Sequence, residues 1–417
     1  MFTLRTALSG AVCVCLCVGA HASPIAAAPV PLRDRVHELW SRNPHVQAAE
    51  AGLLAARTRM RAAAQPVYNP SLSLEGENAD VDRRTASASL ALDLSGKRRA
   101  RVQEGDAAVR ASEAALGLRR RDVAVQWLKG WVSLTLARRQ SGLGAERVAL
   151  MERFDRLALD RLRVGDISAP ERDLAALALA EARIEQATIE GQEAAAMGAL
   201  AAIEGQDGPP LPGLPDTLPP APDSIVPLGV SERPELRQAS AEQARLDAGV
   251  NVARRARIPD PTVSLTGGRV RSGTRTDPVI GISVSLPLPV LNTGGAEIAA
   301  AQADADAAWA NRQAAAWQSE AGLRQSATTY RSLRATAESL RKAGVDAPGA
   351  RAALLERLWQ AGELDTSDYL VQLKQSLDTT LSVISLESQA WQAWFDYVAA
   401  AGRLPDWLDG TAKDPAP

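Results

Sequence analysis

Tyr68-Asn69-Pro70-Ser71-Leu72-Ser73-Leu74 is answered by Pro259-Asp260-Pro261-Thr262-Val263-Ser264-Leu265. The interval of about 190 residues is far longer than a solenoid repeat, whose period is roughly 20 to 50 residues. In both stretches prolines stop a preceding helical run, because proline lacks the amide donor and clashes with the turn before it. Apolar and polar residues then alternate, which is the strand signal. Outward from these points the correspondence continues. Asn43-Pro44-His45-Val46-Gln47-Ala48 and Arg233-Pro234-Glu235-Leu236-Arg237-Gln238 each open an Ala/Arg-rich run leading to the proline break. Downstream, Arg163-Val164-Gly165-Asp166-Ile167-Ser168 corresponds to Gln360-Ala361-Gly362-Glu363-Leu364-Asp365, each followed by a helix with an early carboxylate. Four landmarks recurring in one order indicate a duplicated half-molecule.

The alternation extends to a second strand in each half. Leu90, Leu92 and Leu94 share one face of Ala86–Leu94, and Ile280, Ile282, Val284 and Leu286 share one face of the later segment. A polar second face fits either solvent beside an ordinary hairpin or the lumen of a barrel. Helical runs of some 65 residues follow, from about Gly96 to Val164 and from about Gly295 to Ala361; at 1.5 Å per residue each makes a rod of roughly 100 Å. Gly142 and Gly144 in the first, and Gly344, Pro348 and Gly349 in the second, are expected to bend or interrupt the rods. Return helices are expected over Ala169–Glu204 and Thr366–Gly402, the latter carrying a seam of Leu370, Leu373, Leu377, Leu381, Ile384, Trp391, Phe395 and Val398. Eight prolines between Gly208 and Pro227 make that stretch an extended connector.

Composition narrows the possibilities. Of 417 residues only 4% are aromatic, and the dominance of Ala, Leu, Arg, Glu and Gln favours long helices packed through small side chains. A net charge of −2 gives no electrostatic case for nucleic acid. The start reads as an export signal: Arg5, an apolar Ala7–Val18, and Ala20-His21-Ala22 before Ser23. Cys13, Cys15 and Cys17 all fall within it, so the exported chain would carry neither disulfide nor thiolate ligand. Leu16 before Cys17 and Val12 before Cys13 argue for plain cleavage over a lipid anchor. No later stretch approaches the roughly 18 apolar residues of a spanning helix. The expected organisation is a signal at 1–22, a first repeat at 23–207, a connector at 208–230, a second repeat at 231–404 and a tail at 405–417.

This order, with the two Asn/Arg-Pro helix starts, Leu94-Ser95-Gly96-Lys97-Arg98-Arg99-Ala100-Arg101, Leu286-Pro287-Leu288-Pro289-Val290-Leu291 and the paired glycine turns, resembles the TolC-type outer-membrane efflux channels over about Leu32 to Leu404. The resemblance implies a mainly α chain: long helices forming a coiled-coil tunnel, and four strands contributed to a twelve-stranded barrel closed by a homotrimer in the outer membrane. It further implies a periplasmic adaptor and an inner-membrane, proton-driven pump as partners. The Pro-Leu-Pro exit, the Gly-Lys-Arg-Arg start and the modest length look most like the branch serving cobalt, zinc and cadmium or copper and silver. Two lone strands per half leave edges that cannot sit in lipid, which independently demands closure by copies. One departure is the near absence of an aromatic girdle, Tyr68 being the nearest candidate. Trp127, Trp131, Trp309, Trp317, Trp391 and Trp394 lie on helices and are expected to serve packing.

By the same resemblance, the turns Val164, Gly165, Asp166 and Ile167, and Ala361, Gly362, Glu363 and Leu364, are the tips where the adaptor docks. Family channels close their mouth with acidic rings six and nine residues after the second turn glycine. Here those positions hold Asp368 and Val371, so one acid is kept. Glu171 stands at the matching place after Gly165, and Asp365 lies beside Asp368. The alternative for all three is helix capping, since Ser168-Ala169-Pro170-Glu171 and Asp365-Thr366-Ser367-Asp368 both place an acid three residues after a cap. His37, His45, Met60, Met151 and Met197 are too scattered for a transition-metal site. No catalytic motif is present, so no enzyme and no cofactor is expected. The competing class is a periplasmic coiled-coil adaptor without a pore, against which stand two helical hairpins and only two strand pairs.

Overall fold

The computed structural model describes residues 27–78, 80–205, 210–343 and 348–410. The expected signal at 1–22 lies outside them, as do Gly344 and the end of the tail. In chain order the elements are α1 (Val30–Arg42), α2 (Pro44–Ala63), β1 (Ser71–Glu77), β2 (Val81–Ala91), α3 (Lys97–Arg163), α4 (Ala169–Glu204), α5 (Pro234–Ala256), β3 (Thr262–Ser272), β4 (Arg275–Ser285), α6 (Gly295–Lys342), α7 (Pro348–Gln360), α8 (Thr366–Ala400) and α9 (Leu404–Asp409). Helix, hairpin, long helix and return helix thus occur twice.

Local chemistry sets the helix starts. The Asn43 side chain accepts the His45 amide at 2.9 Å, and Pro44 follows it as the first residue of α2. Asp93 accepts the amides of Lys97 and Arg98, both at 2.8 Å, and so anchors the first turn of α3. That helix then runs unbroken for 67 residues. The expected interruption at Gly142 and Gly144 does not occur. Gly144 instead lies within the helix where the Gln186 and Ile189 side chains of α4 approach it. The second rod is divided between α6 and α7, with Pro348 as the first residue of α7.

The four strands form one antiparallel sheet in the order β1-β2-β3-β4, and the middle pairing, β2 with β3, joins the two halves. Below it the helices repeat that order: α2 packs on α3, α3 on α5, and α5 on α6. Helix α4 lies against α3, while α8 lies against α6, α3 and α7.

Two apolar clusters hold this assembly. The larger sits at mid-height around Trp127, Trp131, Tyr330, Trp394, Phe395 and Trp407. Over it the connector runs as a strap without regular structure apart from short 3-10 turns. Its carbonyls accept hydrogen bonds from the wall: Trp131 Nε1 to Pro212 (2.8 Å), Tyr330 Oη to Pro220 (2.6 Å) and Tyr397 Oη to Pro222 (3.1 Å). A proline-rich strand cannot pair its backbone with itself, so these donors satisfy the carbonyls. The second cluster lies at the glycine-turn end, around Phe154, Trp359 and Tyr369.

Two sequence expectations require correction. Within the stretch read as a tail, Leu404–Asp409 forms α9, with Trp407 and Leu408 buried and the Trp407 carbonyl accepting the Ala28 amide at 2.8 Å. Of the six helical tryptophans named above, four are buried, but Trp309 and Trp317 are 53% and 74% exposed in the single chain. Both lie on α6, the last helix of the row.

Trp394 is fully buried, its ring 5.3 Å from Tyr330. Trp394→Ala is expected to cost about 3–5 kcal/mol, the range for emptying an aromatic site in a core. Thermal unfolding followed by circular dichroism checks this, against a control substitution at an exposed position.

Candidate functional site

The sheet separates its two faces sharply. Cross-strand register sets Leu72, Ala88, Leu265 and Ile282 in one row, and Leu74, Ala86, Gly267 and Ile280 in the next. These apolar residues are largely exposed, Ile280 at 83% and Leu74 at 78%. The opposite face carries Ser71, Ser89, Ser264 and Ser283 in one row, with Ser71 and Ser89 hydroxyls 2.6 Å apart, as are those of Ser73 and Ser87. At about 3.3 Å per residue, the 11-residue strands reach some 36 Å, sufficient to cross a bilayer core when tilted. Among the described residues no helix is long and apolar enough to cross a membrane. Both outer strands, β1 and β4, keep one unpaired edge.

Where strands pass into helices, a buried charged node joins the halves. Asp260, from the Pro-Asp-Pro break, accepts hydrogen bonds from Tyr68 (2.7 Å) and, at 3.4 Å, from the Ser95 hydroxyl, and it pairs with Lys97 of the Gly-Lys-Arg-Arg start at 2.8 Å. The Asp260 side chain is 3% exposed and that of Lys97 16%. Burial disfavours the Lys97 ammonium, but the hydrogen bond and attraction from Asp260 outweigh it and hold the lysine above its ordinary pKa. The pairing is not legible in the sequence, since 163 positions separate the partners and neither motif signals the other.

At the other end the two glycine turns stand side by side. Gly165 and Gly362 adopt φ of 77° and 73°, the left-handed conformation that glycine takes without strain. Val164, Asp166, Ala361 and Glu363 are exposed, while Ile167 and Leu364 tuck against the tip cluster. Phe154 of α3 lies 4.6 Å from the Trp359 ring and 5.0 Å from Tyr369, so each hairpin supplies part of one aromatic core. The Arg161 guanidinium covers Trp359 at 5.0 Å.

The three candidate carboxylates converge on this end. Asp365 caps α8 by accepting the Asp368 amide at 2.8 Å, and Asp368 itself is exposed one turn along. Glu171 accepts both the hydroxyl and the amide of Ser168 at 2.7 Å. These bonds hold Glu171 below the ordinary carboxyl pKa despite the opposing charge of nearby Asp365. Glu171 and Asp365 thus engage in capping contacts, whereas Asp368 contributes its amide and is exposed. Beyond it, Leu174, Leu177 and Val371 are exposed along the cleft between α4 and α8, an apolar feature that composition alone did not mark. Higher up, buried Arg147 of α3 clamps α4 and α8 through Glu185 (2.5 Å) and Asp378 (2.9 Å). Among the described residues no group of three or more His, Cys, Asp or Glu could hold a metal ion.

A four-stranded sheet with one apolar face and one hydroxylated face thus stands on a row of packed helices. The profile described as outer membrane efflux protein matches residues 229–403. The cobalt-zinc-cadmium resistance protein CzcC of Cupriavidus metallidurans is 29% identical over 266 residues, 62% of each chain. The nickel-cobalt-cadmium resistance protein NccC of Alcaligenes xylosoxydans xylosoxydans is 29% identical over 240 residues, covering 54% of this chain and 53% of that one. The crystal structure of the Campylobacter jejuni CmeC outer membrane channel superposes with a TM-score of 0.73 at 16% identity, covering 89% of this chain and 85% of that one. The second half of the chain thus matches the outer membrane efflux protein family, and the chain as a whole shares the fold of that solved channel. The aligned regions span 62% and 53% of the two resistance proteins' lengths.

Two outcomes follow from this geometry. Asp260→Asn leaves the Lys97 ammonium buried without its counter-charge and is expected to destabilise by roughly 3–5 kcal/mol. Adding Lys97→Met should recover part of that loss, read as non-additivity in a double-mutant cycle of thermal unfolding. For Glu171 the folded pKa lies below the ordinary 4.5. Its contribution is therefore complete above pH 4.5 and disappears as pH falls through the lowered folded value. Amide exchange at the first turn of α4 should accelerate over that window in the native protein and be insensitive to it in Glu171→Gln.

Proposed function

We propose that three copies of this chain close into an outer-membrane exit duct. A periplasmic adaptor and an inner-membrane pump feed it, and it passively conducts heavy-metal cations to the outside. The observation that carries this reading is the sheet: four strands with an apolar face, a hydroxyl-lined face and two open edges. Unpaired amides and carbonyls cost several kcal/mol each in hydrocarbon. Twelve strands from three chains satisfy them all and leave a polar lumen. Metal cargo is favoured by the likeness to two resistance proteins whose names carry cobalt and cadmium. The chain itself needs no resident metal site to pass such cations, because an exit duct selects by lumen charge and width.

In this reading the glycine turns meet the adaptor, and Val164–Ile167 with Ala361–Leu364 form the docking surface. Asp368 is the carboxylate that three-fold symmetry would gather into a ring at the periplasmic mouth. Glu171 and Asp365 support that ring by fixing the helix starts on either side.

Removal of the gene from a host that depends on it should raise cellular cobalt, zinc or cadmium, and re-expression should restore export. Unchanged metal content would refute the cargo. In planar bilayers Asp368→Asn is expected to lower cation preference and weaken block by multivalent cations. Wild-type selectivity in the variant would remove Asp368 from the pore.

A further inference from the structure

We propose that Trp317 of α6 is the knob by which one copy locks onto the next, and that it enters a small-residue socket of Pro44, Ala48 and Ala51 on the neighbour's α2. The inference rests on the three-copy ring above and specifies where its wall is sealed.

The wall within one chain runs α2, α3, α5, α6, following the strand order β1 to β4. Helices α2 and α6 therefore end the row as β1 and β4 end the sheet. Helix α2 leads into β1 and α6 follows β4, so any copy that pairs its β1 with β4 must bring its α2 beside α6. Docking of α6 on α2 is thus imposed by the same backbone demand that closes the barrel.

Side-chain placement agrees. On α6 the buried Ala308 marks the flank near α5, where Arg312 donates to Gln243 at 3.1 Å. Trp317 lies nine residues beyond Ala308, and at about 3.6 residues per turn it points to the opposite flank. There it is 74% exposed, a large apolar side chain on the flank away from α5. On α2 the buried Val46, Leu53 and Ala56 face inward. Pro44, Ala48, Ala51, Ala55, Thr58 and Ala62 recur at steps of four and three on the reverse side, and every one is small or compact.

The heights match as well. Arg233, immediately before α5, reaches the Ser319 carbonyl at 3.1 Å, so the start of α5 is level with Ser319. Pro44 opens α2 as Pro234 opens α5. In a ring built by rotation about the tube axis, the start of a neighbour's α2 lies at that level too. Trp317, half a turn above Ser319, then comes level with His45 to Ala48. The internal junction is a template: at the equivalent height α3 and α5 are joined by Arg121 and Glu235. The ion pair of the internal seam is replaced at the outer seam by a tryptophan in a socket, a residue type that dominates binding energy when it fills a desolvated pocket.

The test uses the full-length channel in outer membranes. Ala310→Cys with Ala51→Cys should yield dimers and trimers with a short bis-maleimide, whereas either single variant should give none. Trp317→Ala should lower the temperature at which the unboiled trimer dissociates on a gel. Ala48→Trp, which fills the socket, should do the same, and combining it with Trp317→Ala should restore much of the loss. A trimer that is insensitive to both substitutions and fails to cross-link would overturn this inference alone. A wild-type chain that migrates only as a monomer would overturn the channel reading beneath it.

Discussion

The open edge is the constraint on which the rest depends. A four-stranded sheet with an apolar face has no stable place in lipid while β1 and β4 present unpaired backbone, and none in water while Leu74 and Ile280 stand exposed. In the proposed ring, closure by identical copies removes both penalties at once. The helix row that copies the strand order, the strap across the row and the shared aromatic core of the two hairpin tips would all serve to make that closure repeatable.

The two halves are welded where an error in angle would propagate furthest. Asp260 and Lys97 join the base of one hairpin to the start of the other half's rod, within about one turn of the strands. A small rotation there would be magnified along a helix of roughly 100 Å. Arg147 and the strap repeat the restraint lower down, by ion pairs and by carbonyl hydrogen bonds respectively. At the tip the restraint changes character. Helices α6, ending at Lys342, and α7, starting at Pro348, are separate elements, while α3 continues unbroken to Arg163.

Much of this was legible in the residues. Period-two alternation located all four strands, and the return helix expected over Ala169–Glu204 has those bounds because Ser168 and Gly205 are strong local stops. The seam of α8 was visible as leucines and aromatics at steps of three and four, and Leu373, Leu377, Ile384, Trp391, Phe395 and Val398 are buried along it. What escaped depends on distant partners. Gly144 looks like a breaker until Gln186 is seen against it. Trp317 looks like core until its helix proves to be the last in the row. Asp260 looks like a turn residue until Lys97 is found beside it, and α9 was missed because six residues carry too little periodicity to stand out. For the candidate mouth, capping signals at Glu171 and Asp365 were readable locally. The exposed Asp368 gains meaning only from an assembly that a single chain does not contain.

Native mass spectrometry of the chain extracted intact from outer membranes addresses the central claim most directly. The account predicts one species of three times the single-chain mass, stable until detergent or heat opens the β1 to β4 seams. A monodisperse monomer or dimer retaining its strand content would contradict it, because neither can pair the edges of a four-stranded sheet into a barrel of the proposed size.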